Sequence, residues 1–159
     1  MFRNHIVKIK NQEIDRRMDY FNEVCRDSGA KLTHQRMEIF REVAQTGHHP
    51  DAETVYQGVR KRMPTVSLDT VYRTLWWLKE LGLVNTLGPP REGTRFDANL
   101  SSHHHFICLR CGLTQDFYSD ILDKRKITDS VQSIGYVETT QVEVKGMCLE
   151  CAAKEGKPS

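Results

Sequence analysis

The chain has 159 residues and a mass of 18.4 kDa, room for one ordinary domain or two small ones and too little for a large multidomain enzyme. Charged residues make up 28% and the residues AVILMFWYC 38%, so there is apolar material for a core and too much of it for a disordered tail. Net charge is +2, split as 15 Lys+Arg against 12 Asp+Glu over residues 1–92 and 8 against 9 over 93–159, which permits a polyanion partner for the N-terminal part without requiring one. No apolar run exceeds four residues (Leu75–Leu78, Phe106–Leu109), far below the roughly 20 that span a bilayer, and the opening MFRNHIVKIK lacks a signal-peptide core. The expectation is a cytoplasmic chain with no membrane contact.

After a polar extension of about residues 1–11, Ile14, Met18, Phe21 and Cys25 recur at helical spacing and predict a helix from Gln12 to Ser28, with Gly29 just past its end. Cys25 falls on its inner face and reads as a core residue. A second helix fits Thr33 to Gln45, capped by Thr33, ended by Gly47, with Ile39, Phe40 and Val43 inward. A third follows Asp51 with Val55, Tyr56 and Val59 on one side and stops at Met63-Pro64. Ser67 caps a fourth, SLDTVYRTLWWLKELG, whose Val71, Leu75 and Leu78 face the core while Thr70 and Arg73 lie on the opposite side. LVNTL, the turn residues from Gly88-Pro89-Pro90 to Gly93, and TRFD then read as a hairpin. Helices closed by a hairpin describe a winged helix-turn-helix.

Beyond Asp97 the texture becomes a small α+β module: strand-like HHHFICL and LTQDFY, a helix from about Asp120 to Ser133 with Ile121, Ile127 and Val131, then VETTQVEV. Two CxxC elements bracket it, Cys108/Cys111 and Cys148/Cys151. In a chain without an export signal, metal explains such pairs better than disulfides. Four thiolates from two tight turns complete a tetrahedral Zn(II) shell and leave no position for a substrate, so the expected role is structural.

A second group of ionisable residues lies near this module: Asp97, His103, His105 and Asp116, with His104 in the middle of the run. On a strand, 103 and 105 project to one face and 104 to the other, so one ion can take the outer pair and miss the centre. Imidazoles with carboxylates make a harder site than four thiolates, suited to Fe(II), Mn(II) or Zn(II). The competing reading is a solvated histidine run.

LTHQRMEIF, HHPDAETVY, VSLDTVYRTLWWLKELGLV, TRFDANLSSHHHFICLRCG and the final CLEC, in this order and spacing over about residues 18–152, resemble the Fur family of metal-dependent transcriptional repressors, and within it the peroxide-sensing PerR branch. The resemblance implies an N-terminal winged-helix DNA-binding domain, 1–95, and a dimerisation and metal-binding domain, 96–159, acting as a homodimer on a pseudo-palindromic double-stranded operator. It implies a regulatory Fe(II) or Mn(II) site of His49, Asp97, His103, His105 and Asp116, with His48 the alternative to His49 by register. It also implies groove-facing residues Thr70, Tyr72 and Arg73. The aspartate at 97 favours the peroxide-sensing branch over iron- or zinc-uptake control, the alternative within the family.

Two departures from the family pattern stand out. A further metal site of many relatives would fall on Ser102, His104, Asp123 and Thr140, a poor donor set, so that site is expected to be absent. Asp69, in the first turn of the recognition helix, replaces the small apolar residue of many relatives, and an acid there suits the helix dipole but sits badly near phosphates. An enzymatic reading, two histidines and a carboxylate as the facial triad of a non-haem Fe(II) oxygenase, is disfavoured, because five protein ligands leave about one position open. The third reading is a zinc-stabilised dimer that binds protein.

Overall fold

The computed structural model describes residues 9–88, 93–124, 129–137 and 139–156. They fall into two compact units, one within Ile6–Leu100 and one within Ser101–Ser159.

The first unit is built from α1 (Asn11–Asp27), α2 (His34–Ala44), α3 (Ala52–Arg60), α4 (Leu68–Glu80) and a two-stranded sheet of β1 (Asn85–Leu87) and β2 (Arg95–Asp97). Three of its helices begin where a side-chain oxygen satisfies an otherwise orphaned N–H: Thr33 accepts from Arg36, Asp51 from Thr54 and Ser67 from Thr70. Gly29 and Gly82, both in the left-handed region, end α1 and α4. Gly47 does not play that part for α2. The helix stops at Ala44, and the left-handed residue downstream is His49, with φ 48°.

Phe21 and Phe40 stack at 4.8 Å in the centre of this unit, packed with Ile39, Val43, Val55, Val71 and Leu75. Cys25 is buried in the same core, and burial pushes its thiol up. Arg62 ties the end of α3 back to α2 through Glu38 (2.7 Å) and Glu42 (2.8 Å). β1 and β2 pair antiparallel, Thr86 opposite Phe96, as the hairpin pattern requires; the turn residues 89–92 lie outside the described ones.

The second unit holds a three-stranded sheet in the order β4-β3-β5, with β3 (His104–Cys108) antiparallel to β4 (Thr114–Phe117) and parallel to β5 (Glu143–Gly146). Three short helices accompany it: α5 (Asp120–Asp123), α6 (Asp129–Gln132) and α7 (Leu149–Lys154). The single helix expected from Asp120 to Ser133 is therefore represented by two short pieces, and residues 125–128, Ile127 among them, lie outside the described ones. Ile121, 82% exposed, and Val131 are not buried among the described residues. Of the strand-like stretch VETTQVEV only its end, from Glu143, pairs in the sheet. Among the described residues the buried apolar side chains belong to the first unit, with Cys108 the exception.

Candidate metal centre

The four cysteines converge through local geometry. β3 delivers Cys108, the turn closed by Gly112 N–H on the Cys108 carbonyl (2.9 Å) presents Cys111, and the start of α7 brings Cys148 and Cys151. Their sulfurs lie within 4.8 Å of one another, Cys111 and Cys148 at 3.7 Å, with no disulfide among them. A metal–sulfur bond of about 2.3 Å in a tetrahedral shell sets its sulfurs about 3.8 Å apart, so the observed spacing fits a four-thiolate ion. The electrostatics agree. Burial alone would raise the Cys108 thiol, but N–H groups of Cys111, Cys148 and Arg110 aimed at its sulfur bring it down to about 6. Cys148 and then burial push Cys151 up to about 12, because a second thiolate beside the first is unfavourable without a cation. A dication resolves that conflict.

In the second unit, His105 and Asp116 are cross-strand neighbours on β3 and β4, and His103 precedes β3 on the same side. His103 Nε2 lies 3.0 Å from His105 Nε2, and Asp116 Oδ1 is 3.7 and 3.5 Å from the two. Metal–nitrogen bonds of about 2.1 Å at a right angle place the two nitrogens about 3.0 Å apart, as found here, while the longer separations from Asp116 correspond to wider angles, so the three donors can share one ion without selecting its geometry. The ring of His103 is oriented by the Ser101 carbonyl, 2.6 Å from its Nδ1. His104 projects to the other face. Its Nδ1 accepts the Val142 N–H (3.3 Å), which leaves the proton on Nε2, 3.2 Å from Asp123 Oδ1. Ser102 donates to the same carboxylate oxygen at 2.8 Å.

In the first unit, His49 Nδ1 lies 3.8 Å from Asp97 Oδ1, both side chains buried. β2 makes this pairing: Phe96 N–H donates to the Pro50 carbonyl (2.9 Å), Arg95 bridges to Asp51, and the Arg95 guanidinium reaches the His49 carbonyl (3.4 Å). Asn99 N–H donates to Asp97 Oδ1 at 2.7 Å and fixes the carboxylate. The left-handed backbone at His49 is the turn that carries its ring to Asp97; His48, one residue earlier, does not join this pair. Burial, and then the neighbouring charges of His49 and Arg95, hold the His48 imidazole below its usual range.

Thr70, Tyr72 and Arg73 lie on the first turns of α4, whose opposite face buries Val71, Leu75 and Leu78. Arg73 is solvent-exposed and Tyr72 partly so. Periodicity did not reveal the groove beside them, where Lys31, just before α2, and Gln35 and Arg36 on its first turn meet Arg73 and Trp77. The Arg36 guanidinium stacks 3.9 Å over the Trp77 ring and donates to the Lys31 carbonyl (2.6 Å). Only the contact between helices brings these cations together.

A helical unit closed by a hairpin, joined in sequence to a small sheet carrying a thiolate cluster and a histidine-carboxylate cluster, is the make-up of a metal-dependent regulator. The chain belongs to the ferric uptake regulator family, whose model matches residues 27–145. It is 31% identical over 142 residues to the peroxide-responsive repressor PerR of Staphylococcus epidermidis, covering 88% of this chain and 93% of that one, and 28% identical over 149 residues to PerR of Staphylococcus aureus. Among solved structures, the Vibrio cholerae ferric uptake regulator is similar over 80% of this chain and 99% of its own at a TM-score of 0.63 and 26% identity. The Helicobacter pylori ferric uptake regulator Fur aligns over 91% of this chain and 95% of its own at 0.70, and at 22% identity that likeness concerns the fold. Members of this family are transcriptional regulators rather than enzymes, and bind operator DNA as dimers.

Proposed function

We propose that the protein is a cytoplasmic, homodimeric repressor that binds a pseudo-palindromic operator and senses hydrogen peroxide through a regulatory Fe(II) or Mn(II) site, with Zn(II) held by Cys108, Cys111, Cys148 and Cys151. DNA binding is assigned to a winged helix-turn-helix within residues 1–95, with Thr70, Tyr72 and Arg73 of α4 in the major groove, and dimerisation to residues 96–159; Asp97, just past that boundary, is counted below with the compact unit that ends at Leu100. The observation that carries the reading is that each unit has a buried but incomplete donor set. The first offers one imidazole and one carboxylate, His49 and Asp97; the second offers two imidazoles and one carboxylate, His103, His105 and Asp116. Neither half fills the roughly six positions of a hard divalent ion, whereas the five together leave about one open.

Ligands drawn from both units onto one ion restrict the chain to one relative arrangement of the two, the arrangement in which paired recognition helices match successive major grooves. Bound Fe(II) supplies a one-electron reductant for peroxide at bonding distance from the imidazoles, which Mn(II) supplies poorly. The residues at risk are His49 and His103. Peroxide would supply both oxidising equivalents for attack at an imidazole carbon, one of its oxygens entering the ring at the C–H bond and the other leaving as water, and the loss of that ligand would end the shared coordination of the two units and release the operator. His104, on the far face of β3 with its Nδ1 bonded to the Val142 N–H, is predicted to be spared.

The second unit also suits the dimer. β5 is an edge strand, and its register with β3 leaves the main-chain groups of Glu143 and Lys145 on the open side, a template for pairing with a second copy.

Low peroxide applied to the Fe(II)-loaded and Mn(II)-loaded protein tests this, followed by mass spectrometry and DNA binding. The expected result is one oxygen atom added at His49 or His103 and loss of operator binding in the iron form alone, with His104→Ala responding normally and His49→Ala not responding. An iron form that keeps both histidines unmodified and stays on DNA would make the protein an iron- or zinc-uptake regulator instead.

A further inference from the structure

Asp69 is an acidic residue in the first turn of α4 to which the proposed function assigns no contact with DNA. Ser67 already caps this helix, its Oγ accepting the Thr70 N–H at 3.1 Å and lying 2.8 Å from Thr70 Oγ1, so the helix does not need the Asp69 carboxylate as a cap. The side chain is 77% exposed and lies one turn before Arg73, itself 82% exposed, with Asp69 Oδ2 3.9 Å from Arg73 Nη1. That separation is a loose contact. Both groups share the outward side of α4, beside the groove that holds Lys31 and Arg36.

A carboxylate facing DNA is repelled by every phosphate, so on a groove-facing helix it is unfavourable unless it meets a donor. The major-groove edges offer two. Cytosine presents its exocyclic amino group with a C5–H rather than an acceptor beside it on the same base, whereas adenine sets N7 beside its amino group, where it repels the second carboxylate oxygen; guanine and thymine present acceptors there. The guanidinium fork of Arg73 has the complementary preference, for guanine O6 and N7. Four residues of helix advance about 6 Å, close to two base steps of about 3.4 Å each.

We propose that Asp69 is a specificity-determining residue that accepts the amino group of a cytosine in each operator half-site, within two base steps of the guanine read by Arg73. The inference rests on α4 being the recognition helix. Asp69 then lowers affinity for DNA in general, by opposing phosphate attraction, while raising the contrast between the right and wrong base.

The test uses the full-length Mn(II)-loaded dimer and a pool of duplex DNA with a randomised centre, selected on the wild-type protein, followed by affinities for every single-base variant of the selected duplex. Wild type should prefer cytosine at one position of each half-site by about tenfold over thymine. Asp69→Ala should bring the bases at that position within about threefold, keep the guanine preference, and bind the other duplexes more tightly. Asp69→Asn, the isosteric amide, should move the preference toward adenine. If Asp69→Ala tightens binding while leaving every base preference intact, the carboxylate only offsets phosphates and the inference falls. Arg73→Ala separates the two levels. Loss of the guanine preference there with unchanged preferences in Asp69→Ala overturns this inference alone, while no change in either variant overturns the assignment of α4 to the groove as well.

Discussion

Cys148→Ser is the perturbation whose size can be worked from this structure most directly. Structural zinc in finger peptides contributes roughly 10–16 kcal/mol, which shared over four ligands is about 2.5–4 kcal/mol for each thiolate. An ordinary domain has a net stability of about 5–15 kcal/mol, and the second unit lacks the usual reserve, since among the described residues beyond Ala98 the one buried apolar side chain is Cys108, itself a ligand. The loss also reaches the sheet, because Cys108, the last residue of β3, belongs to the same thiolate cluster and loses its ion as well. Cys148→Ser should therefore lose most of its zinc. Amide hydrogens of β3 and β4 should exchange as in an unfolded chain, while those of α2 and α4, in the other unit, keep their protection. Elemental analysis with hydrogen exchange by mass spectrometry reads both. A variant in which β3 stays as protected as in the wild type would refute a structural role for the thiolate cluster, as would one zinc per chain retained on a His103→Ala, His105→Ala background.

Trp76 and Trp77 both lie on α4, so tryptophan fluorescence in urea follows the first unit. Phe21→Ala removes one ring of the stacked pair with Phe40 from a fully buried site and should cost about 3–5 kcal/mol; a loss under 1 kcal/mol would show that the core is not centred there. Gly58 sits inside α3, where alanine would ordinarily gain about 1 kcal/mol, but an added methyl meets the Glu42 carboxylate that Arg62 and Gln45 hold at 2.8 Å. Gly58→Ala should consequently gain nothing in the wild type and recover about 1 kcal/mol on a Glu42→Ala background, and equal gains in both would deny the close approach.

What could be read from the residues was mostly what neighbours in sequence decide. Thr33 and Ser67 cap their helices as their chemistry requires, the third helix starts after Asp51 as read, and the hairpin follows from alternation around turn residues. The two CxxC pairs announce their convergence because thiols in that pattern have few other uses. The misjudged elements depend on what covers them. Ile121 and Val131 carry the apolar spacing of an inward helical face, yet Ile121 points to solvent in the single chain; periodicity says that a face wants burial and not which chain supplies it. Similarly, nothing in VETTQVEV says that Glu143–Gly146 runs parallel to β3, since that pairing links residues about 38 apart. Gly47 shows the reverse case. A glycine after a helix suggested the left-handed turn, but the histidine two residues on takes that conformation, and strain at a non-glycine residue is more readily found in coordinates than in sequence.

The edge of β5 gives a prediction that only a contact between two copies can satisfy. Two β5 strands running antiparallel about a two-fold axis at Val144 would set Glu143 of each copy opposite Lys145 of the other, so the edge complements itself. Each such cross-strand pair is worth roughly 0.2–1 kcal/mol, and symmetry supplies two. Glu143→Lys makes both pairs cation against cation and Lys145→Glu makes both anion against anion. Counting the repulsion, each variant should weaken the dimer by roughly 1–3 kcal/mol, about 5- to 150-fold in its dissociation constant by sedimentation equilibrium. Within one chain Lys145 Nζ also lies 3.2 Å from Glu143, so weakening in either variant, or rescue by the double exchange, could arise without any pairing between copies. A mixture of the two single variants removes that ambiguity. One chain then carries two cations on its edge and its partner two anions, each still with its internal repulsion, and only cross-strand pairing makes the mixed dimer tighter than either parent. Sedimentation of the equimolar mixture should show dimer restored to near the wild-type constant at low salt and weaker at high salt. A mixture that dissociates like its two components would mean that β5 is not where the copies meet.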